Sequence, residues 1–369
     1  MGLEDIPDTM KAVQVVEFDK PYQIRTIPVP KKLHGPDILI KVACASYCHT
    51  DSMVTAGIFA PPLPCTASHE GAGTIVAMGP EVPSEYKVGM RVIGGLPYHP
   101  CRVCEDCTTG PEKQRQYCPN VERHNGVLGD GFFAEYALVD SWNTTPLPDK
   151  VTFEAAAPLA CAGRTIWRGV DQTGLVAGQW IALVGSGGGL GHLGIQFAKA
   201  RGLNVVGVDA RDDGLALSKS SGADVVIDAR KGKEEVVKQV QAVTGGKGVD
   251  AAVSISDHKD ATGISCAITK MHGEVIQIAQ PKEVLVPFHE FIFRDIRLRG
   301  SLLCSEQESR RMLKEVAENN IHTKVNLFQG LDSIHELMEV VHGGKIQGKA
   351  IIVVDQEQIE KEKKIGASV

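Results

Sequence analysis

Residues 181–211 read IALVGSGGGLGHLGIQFAKARGLNVVGVDAR, and no other stretch restricts the fold so tightly. An apolar run, Ile181 to Val184, leads into a cluster of five glycines between Gly185 and Gly191. A helical pattern through Leu190, Ile195, Ala198 and Ala200 follows, and then a second apolar run, Val205 to Val208. A strand, a sharp turn, a helix and a second strand in about thirty residues predict a βαβ unit. Glycines let such a turn approach a pyrophosphate, whose charge the helix N-terminus stabilises. The literal G-x-G-x-x-G spacing starts at Gly189 and falls inside the predicted helix. The phosphate turn is therefore placed at Gly185 to Gly191, with Gly188, Gly189 and Gly191 nearest the cofactor. Asp209 lies eighteen residues beyond Gly191, at the end of the second strand. A carboxylate there accepts from ribose hydroxyls and repels a 2′-phosphate, which favours NAD over NADP. Arg211 works against that preference, because an arginine beside the ribose helps to hold a phosphate.

The alternation continues through Val225 to Ile227, Ala251 to Val253 and Val275 to Ile278, so the expected fold class is α/β with a doubly wound parallel sheet. Up to about residue 155 the rhythm differs. Short strand candidates (Ala12 to Val16, Ile38 to Ala43, Gly73 to Ala77, Met90 to Ile93, Phe133 to Val139) are broken by Gly and Pro, which reads as an irregular, mostly β domain. The last seventy or so residues hold an amphipathic helix near Ser305 to Asn319 and a strand, Ala350 to Val354. The charged tail QEQIEKEKKIGASV reads as a solvated helix or a disordered end.

With 369 residues the chain can form two domains, each with its own core. No stretch reaches the roughly 20 apolar residues of a membrane helix. The acidic start, MGLEDIPDTM, has no apolar core and predicts a plain cytoplasmic beginning. Met1 and Gly2 would suit myristoylation, but Ile6 stands where that signal needs Ser or Thr. A net charge of −6 without a basic stripe argues against nucleic acid.

Ten cysteines in such a chain point to metal or chemistry rather than to a disulfide scaffold. Cys101, Cys104, Cys107 and Cys118 lie in CRVCEDCTTGPEKQRQYC. Four thiolates from one loop surround Zn²⁺ tetrahedrally and leave no open position, the form of a structural site. Cys48 in CHTD, His69 in SHEGAG and Cys161 in CAGRT are candidates for a second, catalytic ion. Two thiolates and one imidazole leave a fourth position open for water or substrate. Spacing alone does not choose them over Cys44, Cys65, Cys266 and Cys304, which read as core residues.

The segments CHTD, SHEGAG, CRVCEDCTTG, DGFFAEYALVD, LACAGRTIW and GGGLGHLGIQFAKARG occur in this order. In that order the chain resembles the medium-chain zinc alcohol dehydrogenases, and is especially similar to the yeast-type enzymes, from about Met10 to Val354. The resemblance implies a GroES-like catalytic domain from residues 1–162 and 301–369, with a Rossmann cofactor domain at 163–300. It implies Cys48, His69 and Cys161 as catalytic zinc ligands and the four-cysteine lobe as the structural zinc site. Glu70 would lie near the catalytic metal, and Asp51 would orient His69. His49 would contact the cofactor pyrophosphate, Thr50 the alcohol oxygen and Thr165 the nicotinamide. The implied activity is hydride transfer between NAD(H) and an alcohol/aldehyde or ketone pair, in a homo-oligomer (dimer or tetramer) that binds no membrane.

Four departures stand out. Ten residues separate Cys107 from Cys118, where seven are usual in the family. Ser68 replaces the usual glycine before the histidine. The phosphate turn varies as described. Met53 stands where many members carry a proton-relaying histidine. Phe59 and Leu96 fall where the yeast-type enzymes have tryptophans, so larger substrates are expected, medium-chain or aromatic. The alternative readings are a polyol dehydrogenase of the same fold, a zinc-free quinone reductase, and a catalytically silent scaffold. A polyol pocket needs several polar groups, since each buried hydroxyl needs a partner.

Overall fold

In the computed structural model, residues 3–110, 112–344 and 346–369 are described. The Met1–Gly2 start lies outside them. The chain forms two compact units, Met1–Ala162 with Cys304–Val369, and Gly163–Leu303.

The first unit is mostly β. Its larger sheet has seven strands, ordered Thr145–Pro146, Arg91–Ile93, Glu70–Met78, Asp37–Tyr47, Lys349–Val353, Val325–Gln329, with Tyr136–Asp140 also paired to Asp37–Tyr47. The strand Asp37–Tyr47 is buried nearly throughout, as a central strand must be, and its run of Ile, Leu, Val and Ala suits burial on both faces. Its antiparallel register pairs Ser46 with Glu70 on one side and Tyr47 with Ala350 on the other. The helix Phe153–Pro158 packs on these three strands. Thr152 caps it by accepting from Ala155 N, and Leu159–Gly163 follows as a π-helical turn.

The charged tail departs from expectation. Gln356–Lys363 is a helix, with Asp355 as N-cap, but one face is buried through Gln358, Ile359 and Glu362. Glu362 accepts from Phe153 N at 2.9 Å and pairs with Arg91 at 2.6 Å. Thr152 N donates to the Val369 carbonyl. Charge pattern alone suggested solvation, but a buried carboxylate with two donors is satisfied at a helix N-terminus.

The second unit carries a six-stranded parallel sheet in the order Val225–Asp228, Asn204–Asp209, Trp180–Val184, Val249–Ser254, Thr269–Gln277, Arg297–Gly300. Numbered along the chain, that order is 3-2-1-4-5-6, the doubly wound arrangement. Its core joins Val184, Val206, Val208, Ile227, Ala252 and Val275. The glycine turn comes between Val184 and the helix Gly191–Ala200, at the carboxyl end of the central strand. Gly185 has φ +97°, open to glycine without strain.

Candidate active site

The end of one sheet gathers a metal-ligating cluster. Cys48 follows the strand that ends at Tyr47, His69 precedes the strand that starts at Glu70, and Lys349 begins the strand on the other side. The π-helical turn brings Cys161 to the same place. Such turns displace a side chain from the helical register and recur at functional sites. One ligating atom from each of Cys48, His69, Glu70 and Cys161 lies within 4.8 Å of the others.

Asp51 holds two of these residues at once. Its Oδ1 lies 2.9 Å from His69 Nδ1, and its Oδ2 accepts from Cys48 N at 2.8 Å. The second bond is the helix-capping contact of His49–Thr55, so a local capping pattern and a long-range tether use one carboxylate. The Asp51 bond commits His69 Nδ1 and leaves Nε2 facing the thiols. His69 Nε2 is buried and has no hydrogen-bond partner. A buried imidazole nitrogen without a partner costs free energy unless something coordinates it. The donor set, one imidazole and two thiols with a carboxylate beside them, fits Zn²⁺ with an open position.

Charge agrees with the donor set. The Cys161 thiol hydrogen-bonds to Cys48, and with Lys349 and His69 nearby this holds the Cys48 thiol well below its usual range despite burial. Cys161, the donor in that bond, is pushed up by it and by desolvation. Burial would lower His69, but Asp51 and Cys161 outweigh it and raise its value well above normal. Burial lifts Glu70 to about 7, opposed by the Lys349 ammonium 2.7 Å away. Glu70 Oε1 also accepts from Ala162 N at 3.1 Å.

The second cluster is the cysteine lobe. The Sγ atoms of Cys101, Cys104, Cys107 and Cys118 lie within 4.8 Å of one another. Cys118 Sγ accepts from Cys101 N at 3.3 Å. The long spacer before it holds the 3-10 turn Arg115–Tyr117, with the Arg115 guanidinium 4.7 Å over the Trp142 ring, so the extra residues pack rather than displace the thiol. Backbone N–H groups at Val103 and Cys104 lower the Cys101 thiol to about 6. Cys44, Cys65, Cys266 and Cys304 are buried elsewhere.

The predicted cofactor residues divide between the units. In the second, Gly185, Gly188 and Gly189 are partly exposed in the turn, and Gly191 is buried at the helix start. Asp209 is buried; its Oδ2 accepts from Gly187 N at 2.9 Å and its Oδ1 from Ala210 N and Arg211 N. It pins the glycine turn to its own strand end. Arg211 spans the same turn, donating to the Gly187 carbonyl at 3.2 Å. Gly187, inside the predicted turn but not among the glycines expected nearest the cofactor, has no room for a side chain: a Cβ there would meet Gly214 backbone at 2.1 Å. Thr165 is buried on the helix Arg164–Asp171. In the first unit, His49 is exposed and Thr50 half-buried in the first turn of their helix.

Sequence reasoning also missed Lys349. A lone Lys at a strand start carries no signal, and only the register Tyr47 with Ala350 brings it beside Glu70.

Residues 34–149 match the alcohol dehydrogenase GroES-like domain family, and residues 189–318 the zinc-binding dehydrogenase family. An alcohol dehydrogenase of Geobacillus stearothermophilus is 33% identical over 351 residues, covering 94% of this chain and 100% of the relative. This chain belongs to the medium-chain zinc alcohol dehydrogenase family. It is an oxidoreductase. An alcohol dehydrogenase of Rhizobium meliloti is also 33% identical, over 93% of this chain and 98% of the relative. Among solved structures, the alcohol dehydrogenase of Aeropyrum pernix superposes with a TM-score of 0.83 at 29% identity, covering 93% of this chain and 99% of that one.

Proposed function

We propose that this medium-chain dehydrogenase is a zinc-dependent, NAD-linked alcohol dehydrogenase that interconverts an alcohol with its aldehyde or ketone. One observation carries the reading: His69 Nε2, buried and without a hydrogen-bond partner, stands with the Cys48 and Cys161 thiols in a cluster whose ligating atoms fall within 4.8 Å. Cys48, His69 and Cys161 would hold one zinc, and Cys101, Cys104, Cys107 and Cys118 a second, closed one. Bound there, the first zinc would supply Lewis acidity toward the alcohol oxygen, and NAD would supply the hydride acceptor.

The chain's own residues do the rest. Asp51 fixes the His69 tautomer and ring orientation through Nδ1. Lys349 holds Glu70 beside the cluster, where its carboxylate can replace a departing ligand. Thr50 Oγ1 would accept the alcohol proton as it gives its own hydroxyl proton to water or to a cofactor ribose hydroxyl; Met53, on the same helix, cannot carry it further. We therefore expect a pH–rate profile without the relay-histidine step near neutrality, and Met53→His should introduce that step. An unchanged profile in Met53→His would count against this proton route. His49 would bind the pyrophosphate and Thr165 the nicotinamide.

NAD is favoured over NADP because Asp209 ends its strand beside the glycine turn; the Arg211 guanidinium is the group opposing that preference. The apolar Phe59 and Leu96, at positions where the yeast-type enzymes have tryptophans, support medium-chain or aromatic alcohols. Within the second unit, Phe288, Ile292 and Phe293 expose most of their surface near the edge strand Arg297–Gly300, which supports a homo-oligomer. No helix among the described residues is long and apolar enough to cross a membrane. All ten cysteines are free thiols, in keeping with a reducing, cytoplasmic setting.

Metal analysis with a panel of primary, secondary and aromatic alcohols, run with NAD and NADP, tests the proposal. It expects two zinc ions per chain and NADH formation. One ion and no turnover would leave a scaffold instead.

A further inference from the structure

Ser68 has φ +70°, is fully buried, and directly precedes His69. Left-handed backbone is costly for a residue with a Cβ and free for glycine, so a serine kept there must be held by its surroundings. Both of its sides are fixed. Its carbonyl accepts from Phe132 N at 2.8 Å, and it lies so close to Gly126 and Gly131 that a Cβ on either would fall 2.1 and 1.8 Å from it. Its hydroxyl has one proton to donate, with the Ser46 carbonyl the nearer acceptor at 2.9 Å and the Glu70 carbonyl at 3.2 Å, and it lies 3.3 Å from Glu70 N as an acceptor.

The placement of that hydroxyl matters. The ladder between Asp37–Tyr47 and Glu70–Met78 ends at the pair Ser46 and Glu70. Beyond it the two chains separate, one toward Cys48 and the other toward His69, and both must still reach one ion. Ser68 Oγ ties the second chain to the first two residues before Cys48. We propose that Ser68 is a positioning residue whose hydroxyl, at the cost of backbone strain, fixes the angle between the Cys48 and His69 segments and so preorganises the zinc site. This rests on the proposed zinc ligands and adds to Asp51 a second, backbone-level tether.

Two variants of the full-length, metal-loaded protein test it, Ser68→Gly and Ser68→Ala. Zinc release into a chromogenic chelator and thermal unfolding are followed side by side. Removing a group that orients a ligand weakens metal retention about 10-fold or more. Both variants should therefore lose one ion about tenfold faster than wild type while the cysteine-lobe ion leaves at its wild-type rate. Ser68→Gly, relieved of strain, should melt no lower than wild type. A merely structural serine would shift melting and leave the relative release of the two ions alone. Wild-type release from Ser68→Gly overturns the inference, as does equal acceleration of both ions. A wild-type protein that carries a single ion removes the underlying zinc assignment, and this inference with it.

Discussion

At single residues, burial converts ordinary side chains into strong determinants. Lys349 and Glu70 are 4% and 0% exposed and 2.7 Å apart. Deleting one partner of a buried pair leaves an uncompensated charge, which typically costs about 3–5 kcal/mol. Lys349→Met should lower stability by about that order, measured by urea unfolding, whereas Lys349→Arg should recover much of it. Asp140 illustrates the opposite balance. Burial raises it from 3.8 to about 6, against the Trp142 and His99 backbone donors and the His99 charge. Its folded value lies above its unfolded one, so folding takes up a proton there. That contribution to stability is complete below 3.8 and is lost as pH rises through about 6. Wild type should therefore gain stability relative to Asp140→Asn as pH falls from 7 to 5. A gap independent of pH would contradict the assignment.

Elements carry the site through their ends. The helix Phe153–Pro158 delivers Cys161, and its N-terminus is capped twice, by Thr152 and by Glu362 from the tail helix. Arg91 stacks 4.8 Å over Phe153 and pairs with the same Glu362. Glu362→Ala leaves a buried helix N–H short of a partner and the half-buried Arg91 guanidinium with only the Asp149 and Val151 carbonyls, and each such loss is worth about 1–3 kcal/mol. We expect the urea midpoint to fall with activity surviving below the new transition. No change would mean that the tail does not brace this helix. The strand ends obey the same logic: antiparallel register, rather than any local motif, places Lys349 and Glu70 together.

For the molecule as a whole, the two units have separate hydrophobic cores, with Val184, Val206 and Val208 in one and Met10, Leu39 and Val76 in the other. Damage to the metal cluster should therefore stay local. Cys48→Ser and His69→Ala are expected to abolish turnover while NAD binding, followed by cofactor fluorescence, stays within a few-fold of wild type. Retained turnover in either would refute the ligand assignment. If the exposed apolar residues near Arg297–Gly300 cover a second copy, the protein should elute well above its 39.6 kDa chain mass, and Phe288→Glu with Ile292→Glu should shift it toward that mass.

Local pattern was enough for much of this. The strand–glycine–helix–strand run of 181–211, the alternation after it and the broken strands before residue 155 gave the α/β class, because backbone periodicity is a short-range property. The four-cysteine lobe was legible for the same reason, its ligands lying within one loop. Tertiary structure decided what depends on residues far apart in sequence. It separates Cys48 and Cys161 from four other cysteines, which are buried away from any cluster. It brings in Lys349, buries the charged tail through Glu362, and holds Ser68 in a glycine-like conformation. Each of these is settled by strand register and by which partners burial leaves within reach, and neither is encoded in the residues adjacent along the chain.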